Sequence, residues 1–361
     1  MKNTTTPRVF IAATRQNDGK TTTSLGLIAA LQKKFPKIGY IKPVGQRFVE
    51  VKEHKIDEDT VLMDSVYSLN CPLVDMSPIA VEPDFTRKYL QAANNDVLVK
   101  KIHDAFDRVA WEKDFVLCEG SGHAGVGAVF DLSNAQVAKH LGCKVIIVAR
   151  GGIGKPIDEV ALNQALFEKE GVEIIGVIIN KVMPDKVDYI SDFARRGLKR
   201  KGLDLLGVIP HQPMLSSPTM AAIRDELDAE LLNTPTNIHA LVDDVVVGAM
   251  SAMNAVKYFK RDVLLITPGD REDILATVCA SEVQKMAGVV LTGGIRPENG
   301  LLRALKNLTI PVLLAGDDSY MVASKVHDLT VKTRPADAEK ISLIRSIIAK
   351  NVNVKKIIES L

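Results

Sequence analysis

The stretch that decides the fold is residues 9–27, VFIAATRQNDGKTTTSLGL, which has the pattern of a buried strand, a loop and the start of a helix. A loop in this position can present backbone N–H groups and a helix N-terminus to the phosphates of a nucleotide. Lys20 would then reach the outer phosphates, and the hydroxyl of Thr21 would ligate Mg²⁺. The predicted nucleotide-binding residues of this loop are Asn17, Gly19, Lys20, Thr21 and Thr22.

The glycine that normally opens such a loop is missing. The common spacing G-x-x-x-x-G-K-[ST] would place it at Thr14, and a loop longer by one residue would place it at Ala13. If the backbone at these positions has ordinary φ values, the loop can widen by one residue without glycine. Arg15 joins the nucleotide-binding candidates as a second cation over the phosphates, with an ordinary exposed arginine as the alternative.

The composition is that of an ordinary globular chain without a strong overall charge. Of 361 residues, 46% are hydrophobic and 25% charged, and the net charge is +2. This balance supplies no global field for nucleic acid or an anionic membrane, so we expect neither partner. The four cysteines form no C-x-x-C pair, and the sequence shows no signal peptide and no apolar run of membrane length. We therefore predict a cytoplasmic protein with reduced thiols.

Short runs rich in Val and Ile alternate with segments of helical spacing, which predicts a doubly wound, mostly parallel α/β sheet with ligands at the carboxyl ends of its strands. The rhythm is lost near residues 211–240, and a second, shorter series predicts a smaller α/β domain. We predict domains at residues 1–215 and 216–335 and a C-terminal amphipathic helix at 336–361 that packs on the body or on a second subunit. The runs are RVFIAAT, KIGYIKPV, DFVLCEG, KVIIVARGG, EIIGVIINKV and LDLLGVIP, then DDVVVGAM, DVLLITP, AGVVLTGG and IPVLLAG.

Two acidic residues lie where a metal–nucleotide site would need them. Glu119 ends the strand DFVLCEG and precedes a glycine, and Mg²⁺ prefers oxygen ligands. Asp59 follows the strand that carries Lys42, and it is either a metal ligand or part of a solvated acidic loop. The predicted metal-binding residues are Thr21, Asp59 and Glu119.

Asn180 ends the strand GVIINKV, where a carboxamide can both donate to and accept from a purine edge. Guanine-selective proteins continue N-K-x-D, but Met183 stands at the last position here, so the sequence favours adenine. The alternative is an asparagine in a turn before Pro184. The glycine-rich segment after Glu119 contains His123, which is either structural or a proton-transfer group.

In order, NDGKTTTS, YIKPVGQR, EGSGH, SNAQVAKHL, NKV and GVIPHQPMLSSPT resemble the dethiobiotin synthetase and cobyrinic acid a,c-diamide synthase group of P-loop proteins. More closely, the chain resembles the N-terminal region of long bacterial phosphotransacetylases. Its second part resembles the DRTGG domain found there, through Asp270-Arg271 and Thr292-Gly293-Gly294. We see no counterpart of the acetyltransferase domain, so we do not expect this chain alone to make acetyl phosphate.

The resemblance to dethiobiotin synthetase implies that Lys20, Lys42 and Glu119 are catalytic. The implied reaction transfers a phosphoryl group from ATP to a carboxylate or carbamate oxygen, with Lys42 on the substrate, by positioning and charge neutralisation. Arg15 stands where dethiobiotin synthetase has an acid, which argues against the same substrate. The implied ligands of ATP and Mg²⁺ are Lys20, Thr21, Asp59, Glu119 and Asn180.

Three functions remain open at this point. One is a regulatory or sensor module that couples an ATP–Mg²⁺ site to the DRTGG-like domain, and another is an ATP-dependent enzyme acting on an unknown small carboxylated ligand. The third is a degenerate scaffold, against which the retained Lys20, Thr21, Lys42 and Glu119 argue. The resemblance also implies a homodimer and leaves room for a separate acyltransferase as a partner. In the second domain, Arg271 either clamps an anion or pairs with its neighbouring aspartate.

Overall fold

The computed structural model describes residues 1–281, 285–329 and 331–361. The chain divides into two compact units. The first is Met1–His211 together with Thr333–Leu361, and the second is Gln212–Lys332. The chain therefore leaves the first unit, builds the second and returns to complete the first.

A parallel sheet of six strands with a central first strand forms the core of the first unit. Its strands are almost fully buried, which explains their near-continuous apolar sequences. Each of the first series of predicted runs forms one of these strands, so the predicted α/β class is confirmed. The strands of this unit are β1 (Arg8–Ala13), β2 (Ile38–Ile41), β3 (Val44–Gly45), β4 (Phe48–Val51), β5 (His54–Asp57), β6 (Ile79–Ala80), β7 (Phe115–Glu119), β8 (Lys144–Arg150), β9 (Ile174–Val182) and β10 (Leu205–Pro210). The order in the parallel sheet is β10-β9-β8-β1-β7-β2, while β3 pairs with β6 and β4 with β5 outside it.

Helices alternate with these strands along the chain, and several begin at side-chain caps. The Asp57 carboxylate accepts the N–H of Asp59 at the start of α2, and Ser133 with Gln136 forms a capping box on α6. The helices are α1 (Lys20–Leu31), α2 (Glu58–Tyr67), α3 (Leu73–Met76), α4 (Phe85–Gln91), α5 (Asn95–Val109), α6 (Asn134–His140), α7 (Gly154–Lys169) and α8 (Val187–Lys199).

The second unit has its own sheet, in the order β11-β15-β14-β13-β12, which is parallel except for the pair β11–β15. Successive residues of a strand point to opposite faces of the sheet, and Leu264 and Leu265 belong to two different hydrophobic clusters. Both faces of this sheet are therefore covered. Each run of the second predicted series forms one of its strands. The elements are β11 (Glu230–Leu231), β12 (Asp244–Val247), β13 (Val263–Pro268), β14 (Gly288–Thr292), β15 (Val312–Leu314), α9 (Pro213–Ser216), α10 (Met220–Glu226), α11 (Ala252–Ala255), α12 (Glu272–Ala280), α13 (Asn299–Lys306) and α14 (Ser319–Asp328).

The C-terminal tail forms two helices, α15 (Ala338–Asn351) and α16 (Val354–Glu359), where the sequence predicts one. The helix breaks because Val352 is extended and bridges Gly207 at the edge of β10. The Asn353 N–H also donates to the Leu206 carbonyl at 2.7 Å. Helix α15 packs against α1, and a Cβ at Gly26 would lie only 2.2 Å from Cγ1 of Ile348.

None of the helices in the described part of the chain is long and apolar enough to span a membrane.

Candidate functional site

The loop between β1 and α1 turns without a glycine at its opening. The Thr14 N–H donates to the Val148 carbonyl of β8 at 2.9 Å, which continues the parallel ladder one residue beyond β1. Neither Ala13 nor Thr14 has a positive φ; the left-handed residues of the loop are Asn17, with φ 63°, and Gly19, with φ 103°. The condition for a loop without the first glycine is therefore met, and Gly19 is the position that needs its conformational freedom.

Asp18 lies inside this loop and holds its two ends together. Its Oδ2 accepts the Thr14 hydroxyl at 2.8 Å and the Arg15 N–H at 2.9 Å. The residue is only 3% exposed, and burial raises the pKa of its carboxyl above the ordinary value. Asp18 is not among the predicted site residues, because the motif used for the prediction assigns no role to the position two residues before the lysine.

The end of β9 ties the loop down from outside. Nδ2 of Asn180 donates to the Asp18 carbonyl at 2.8 Å, and Nζ of Lys181 donates to the Asn17 carbonyl at 2.8 Å. A Cβ at Gly19 would meet Nδ2 of Asn180 at 2.1 Å, so glycine is required there for packing as well. The observed contacts of Asn180 are thus to the loop backbone, and its contact with adenine stays a prediction. Lys181 is a loop contact that sequence reasoning missed.

Arg15 lies beside the loop and pairs with helix α7. Its Nε is 3.1 Å from Oε2 of Glu159, and its side chain is 43% exposed. The Glu159 side chain is 17% exposed, and the two atoms that meet are both buried, so this ion pair is partly withdrawn from water. The contact of Arg15 with phosphates stays a prediction.

Glu119 connects the loop helix with the neighbouring strand. It ends β7 opposite Ile11 of β1, and Oε1 accepts the hydroxyl of Thr21 at 2.9 Å. Oε2 accepts the hydroxyl of the buried Tyr40 at 3.1 Å. Glu119 is fully buried, and this burial, together with the nearby charge of Asp59, raises the pKa of its carboxyl.

Lys42 is held between two carboxylates. Its Nζ lies 2.9 Å from Oδ1 of Asp57 and also bonds to Asp59. Burial by itself lowers the pKa of this ammonium, but Asp59, Asp57 and Glu119 together raise it well above the ordinary value. Asp57 was not predicted as a site residue; its signal is the D-x-D spacing that ends β5 and caps α2.

Two lysines and three carboxylates form one buried charge cluster, within which electrostatic interactions link Lys20, Lys42, Asp57, Asp59 and Glu119. If all five are ionised, the carboxylates exceed the ammonium groups by one charge. Burial lowers the pKa of Lys20, and the charge of Glu119 opposes that shift. The Thr21 hydroxyl and the Glu119 carboxylate, 2.9 Å apart, are oxygen groups of the kind that a hard cation binds.

A metal at this position would need ligands from outside the protein. Within the described ranges, no group of three or more His, Cys, Asp or Glu side chains is arranged to hold a metal ion. Mg²⁺ commonly keeps several waters and binds through one or two carboxylates plus the phosphates of a substrate. Of the predicted set, Thr21 and Glu119 lie side by side and fit that kind of shared site. The Asp59 carboxylate is bonded to Lys42, so its part in metal binding stays a prediction.

Two protein-family models match this chain. A family model described as an AAA domain matches residues 7–219, and a model of the DRTGG domain matches residues 222–329. The chain belongs to this family of AAA domains. A P-loop AAA domain followed by a DRTGG domain is the arrangement of the N-terminal region of long phosphotransacetylases, as predicted from the ordered motifs.

The AAA and DRTGG domains together are similar to half of each of several enzymes. The phosphate acetyltransferase of Nitratidesulfovibrio vulgaris is 26% identical over 359 residues, covering 96% of this chain and 50% of the enzyme. That of Pseudomonas putida is 28% identical over 362 residues, covering 95% and 50%. The chain therefore spans about half the length of the curated relatives it matches. Among solved structures, the septum site-determining protein MinD of Pyrococcus horikoshii OT3, complexed with Mg-ADP, is 16% identical with a TM-score of 0.36, covering 58% of this chain and 83% of that one.

The glycine-rich segment of the AAA domain is ordered by a buried asparagine. Nδ2 of Asn134 donates to the carbonyls of Ser121 at 2.7 Å and His123 at 2.6 Å. The His123 side chain is exposed, and its Nδ1 accepts the Gly125 N–H at 3.2 Å. These contacts explain the structure of the segment, and a role of His123 in proton transfer stays a prediction.

The signature residues of the DRTGG domain are bonded to the protein itself. Arg271 makes a bidentate ion pair with Asp273, at 2.9 and 3.0 Å, and donates to the carbonyls of Gly248 and Met250. The pairing of Arg271 with Asp270 is therefore wrong, because the carboxylate two residues further along is the one that meets the guanidinium. The Thr292 hydroxyl lies 2.7 Å from that of Ser319. These residues connect loops at the carboxyl ends of the strands.

Proposed function

We propose that the AAA domain binds ATP with Mg²⁺ and that the chain is a regulatory or sensor module of the phosphotransacetylase type. The supporting observation is the ordered loop between β1 and α1. The Asp18 carboxylate accepts the Thr14 hydroxyl within this loop, and Asn180 of β9 donates to the Asp18 carbonyl. Lys20 and Thr21 open helix α1 directly after this loop, where the N–H groups of the helix favour anions.

Within this proposal, each residue of the site has a defined role. The Lys20 ammonium neutralises the outer phosphates, and the Thr21 hydroxyl with the Glu119 carboxylate holds Mg²⁺. When bound, Mg²⁺ supplies charge neutralisation between the phosphate oxygens. Asp59 would add a further carboxylate to this metal site. Asn180 contacts adenine while its amide also anchors the loop.

The position of Lys42 favours sensing over phosphoryl transfer. Its ammonium already has Asp57 and Asp59 as partners, so a substrate carboxylate would have to displace one of them. A buried ammonium without its carboxylates lowers the stability of the fold, and so do buried carboxylates without their ammonium. The contacts of Arg271 point the same way, because its guanidinium is already bonded to Asp273 and to the carbonyls of Gly248 and Met250.

The second candidate function is ATP-dependent activation of a carboxylate or carbamate, with Lys20, Lys42 and Glu119 as catalytic residues. It is favoured by their position in one buried cluster that also contains the predicted metal ligands. In either case we propose a cytoplasmic homodimer that binds nucleotide and a small carboxylated ligand and works with a separate acyltransferase.

Calorimetry tests whether nucleotide binds, and an ADP-release assay separates the two functions. ATP, ADP and GTP, each with Mg²⁺, are titrated into the wild type, Lys20→Ala and the matched control Lys101→Ala, which alters an exposed lysine of α5. We expect ATP to bind to the wild type and the control but not to Lys20→Ala. ADP release is then measured with a panel of dicarboxylates and amino acids. Release stimulated by one of them supports the enzyme; binding without release supports the sensor.

Two outcomes contradict the proposal. If the wild type binds no nucleotide, both functions are wrong. If GTP binds as tightly as ATP, the adenine preference inferred from Asn180 and Met183 is wrong.

A further inference from the structure

We propose that Asp18 is a positioning residue that shapes the phosphate loop in place of the missing opening glycine. The proposal deepens the nucleotide-binding function and rests on it. In a standard loop the opening glycine allows the backbone to turn tightly. Here the turn is closed by a side chain that bridges the two ends of the loop.

The first observation is the convergence of two donors on one carboxylate oxygen. The Thr14 hydroxyl and the Arg15 N–H both donate to Oδ2 of Asp18, at 2.8 and 2.9 Å. The acceptor lies three and four residues after its donors, so the carboxylate closes the first half of the loop into a ring. Because Thr14 is itself bonded to Val148 of β8, the ring is fixed to the sheet.

The second observation is that the main chain of the same residue is also fixed. The Asp18 carbonyl accepts Nδ2 of Asn180 at 2.8 Å, so Asp18 is anchored through its side chain within the loop and through its backbone to β9. The chain therefore continues from an anchored Asp18 through Gly19 into helix α1, which begins at Lys20. A loop that is already ordered loses less conformational entropy when a ligand binds.

The third observation concerns charge. A carboxylate beside an anion site opposes the binding of phosphate, so its presence needs a compensating role. The two accepted hydrogen bonds supply that role, and they require an oxygen acceptor, not a negative charge. An asparagine can accept the same two bonds through its amide oxygen.

The experiment compares Asp18→Ala with Asp18→Asn. Hydrogen exchange of residues 14–19 is measured without nucleotide, and the dissociation constant for Mg-ATP is measured by calorimetry. The matched control is Asp75→Ala, which removes another buried aspartate of the same unit, paired with Arg108 at 2.7 Å and outside the loop. Thermal unfolding of each variant verifies that the chain is folded.

We expect Asp18→Ala to lose exchange protection at the Arg15 N–H and to bind Mg-ATP about tenfold more weakly, because two donors lose their acceptor. Asp18→Asn should keep the protection and bind at least as tightly as the wild type. The control should change neither quantity, although its unfolding temperature falls.

Three results would overturn the proposal: unchanged exchange and affinity in Asp18→Ala, equal losses in Asp18→Asn and Asp18→Ala, or the same losses in the control. If the wild type does not bind Mg-ATP, the proposed function fails separately. The exchange measurements alone then decide whether Asp18 shapes the loop.

Discussion

At the scale of single residues, the site depends on buried polar groups that satisfy one another. Asn180 has one observed and one proposed role: its Nδ2 donates to the Asp18 carbonyl and anchors the loop, and we propose that it also contacts adenine. Loop anchoring affects every nucleotide alike, whereas base contact affects only those with the matching edge. The two roles therefore predict different losses on mutation.

We expect Asn180→Ala to weaken the binding of ATP, GTP and inorganic triphosphate together, by about tenfold, because the Asp18 carbonyl and the loop lose their tether. Any loss for ATP beyond that for triphosphate measures the adenine contact. Calorimetry with the three ligands gives both quantities. Unchanged affinity for triphosphate would contradict the anchoring role.

Lys42 provides the sharpest test of the charge cluster. Lys42→Met leaves Asp57 and Asp59 buried without their cation, so the free energy of unfolding of the AAA domain should fall by about 3–5 kcal/mol. Hydrogen exchange of β1 and β7 in increasing urea reports this domain alone.

The triple variant Lys42→Met, Asp57→Asn, Asp59→Asn should recover most of the lost stability, because the two carboxylates that bonded the missing ammonium are then replaced by neutral amides. Lys101→Met, on the exposed face of α5, is the matched control and should change the free energy of unfolding by less than about 0.5 kcal/mol. Equal losses in the single and triple variants would show that the charges are not the cause.

At the scale of elements, the contact between α1 and α15 is unusually close. It is possible because Gly26 has no side chain: a Cβ there would lie 2.2 Å from Cγ1 of Ile348 and 3.1 Å from the Ile344 carbonyl. A helix interior normally disfavours glycine relative to alanine by roughly 0.5–1 kcal/mol. Glycine at this position is therefore explained by packing and not by helix propensity.

We expect Gly26→Ala to lower the free energy of unfolding of the AAA domain by about 1–3 kcal/mol through overpacking, despite its better helix propensity. In a chain that already carries Ile348→Ala, Gly26→Ala should lower the free energy of unfolding by less than it does in the wild type. A double-mutant cycle measures this difference. Gly300 of α13 has open space around it, so Gly300→Ala is the control and should not destabilise the chain. Additive losses at positions 26 and 348 would contradict the clash.

The strands could be predicted from the sequence because buried parallel strands need continuous apolar runs. The two-residue β11 has no such run, and the break at Val352 depends on a bridge to Gly207, about which local sequence is silent. Likewise, Lys20, Thr21 and Glu119 follow from motif and strand position. The pairing of Lys42 with Asp57 depends on how β5 returns toward β2, which spacing along the chain does not specify.

At the scale of the whole molecule, the first unit is built from two separate parts of the chain. Deletion of residues 336–361 removes the helices that cover α1 and the edge of β10, so hydrophobic surface on α1 becomes exposed. We expect the truncated chain to lose exchange protection in α1 and β10 and to bind Mg-ATP more weakly, while the DRTGG domain keeps its protection. Full protection of α1 in the truncated chain would show that the tail is dispensable.

The return of the chain to α1 also sets the order of events during synthesis. About 120 residues, Gln212–Lys332, leave the ribosome between the two parts of the first unit. At roughly 5–20 residues per second, the nascent sheet waits some 6–24 s for its last helices. During that interval α15 is not yet present to cover the face of α1 around Gly26. The second unit is fully synthesised before α15 is, so it can complete its own core first.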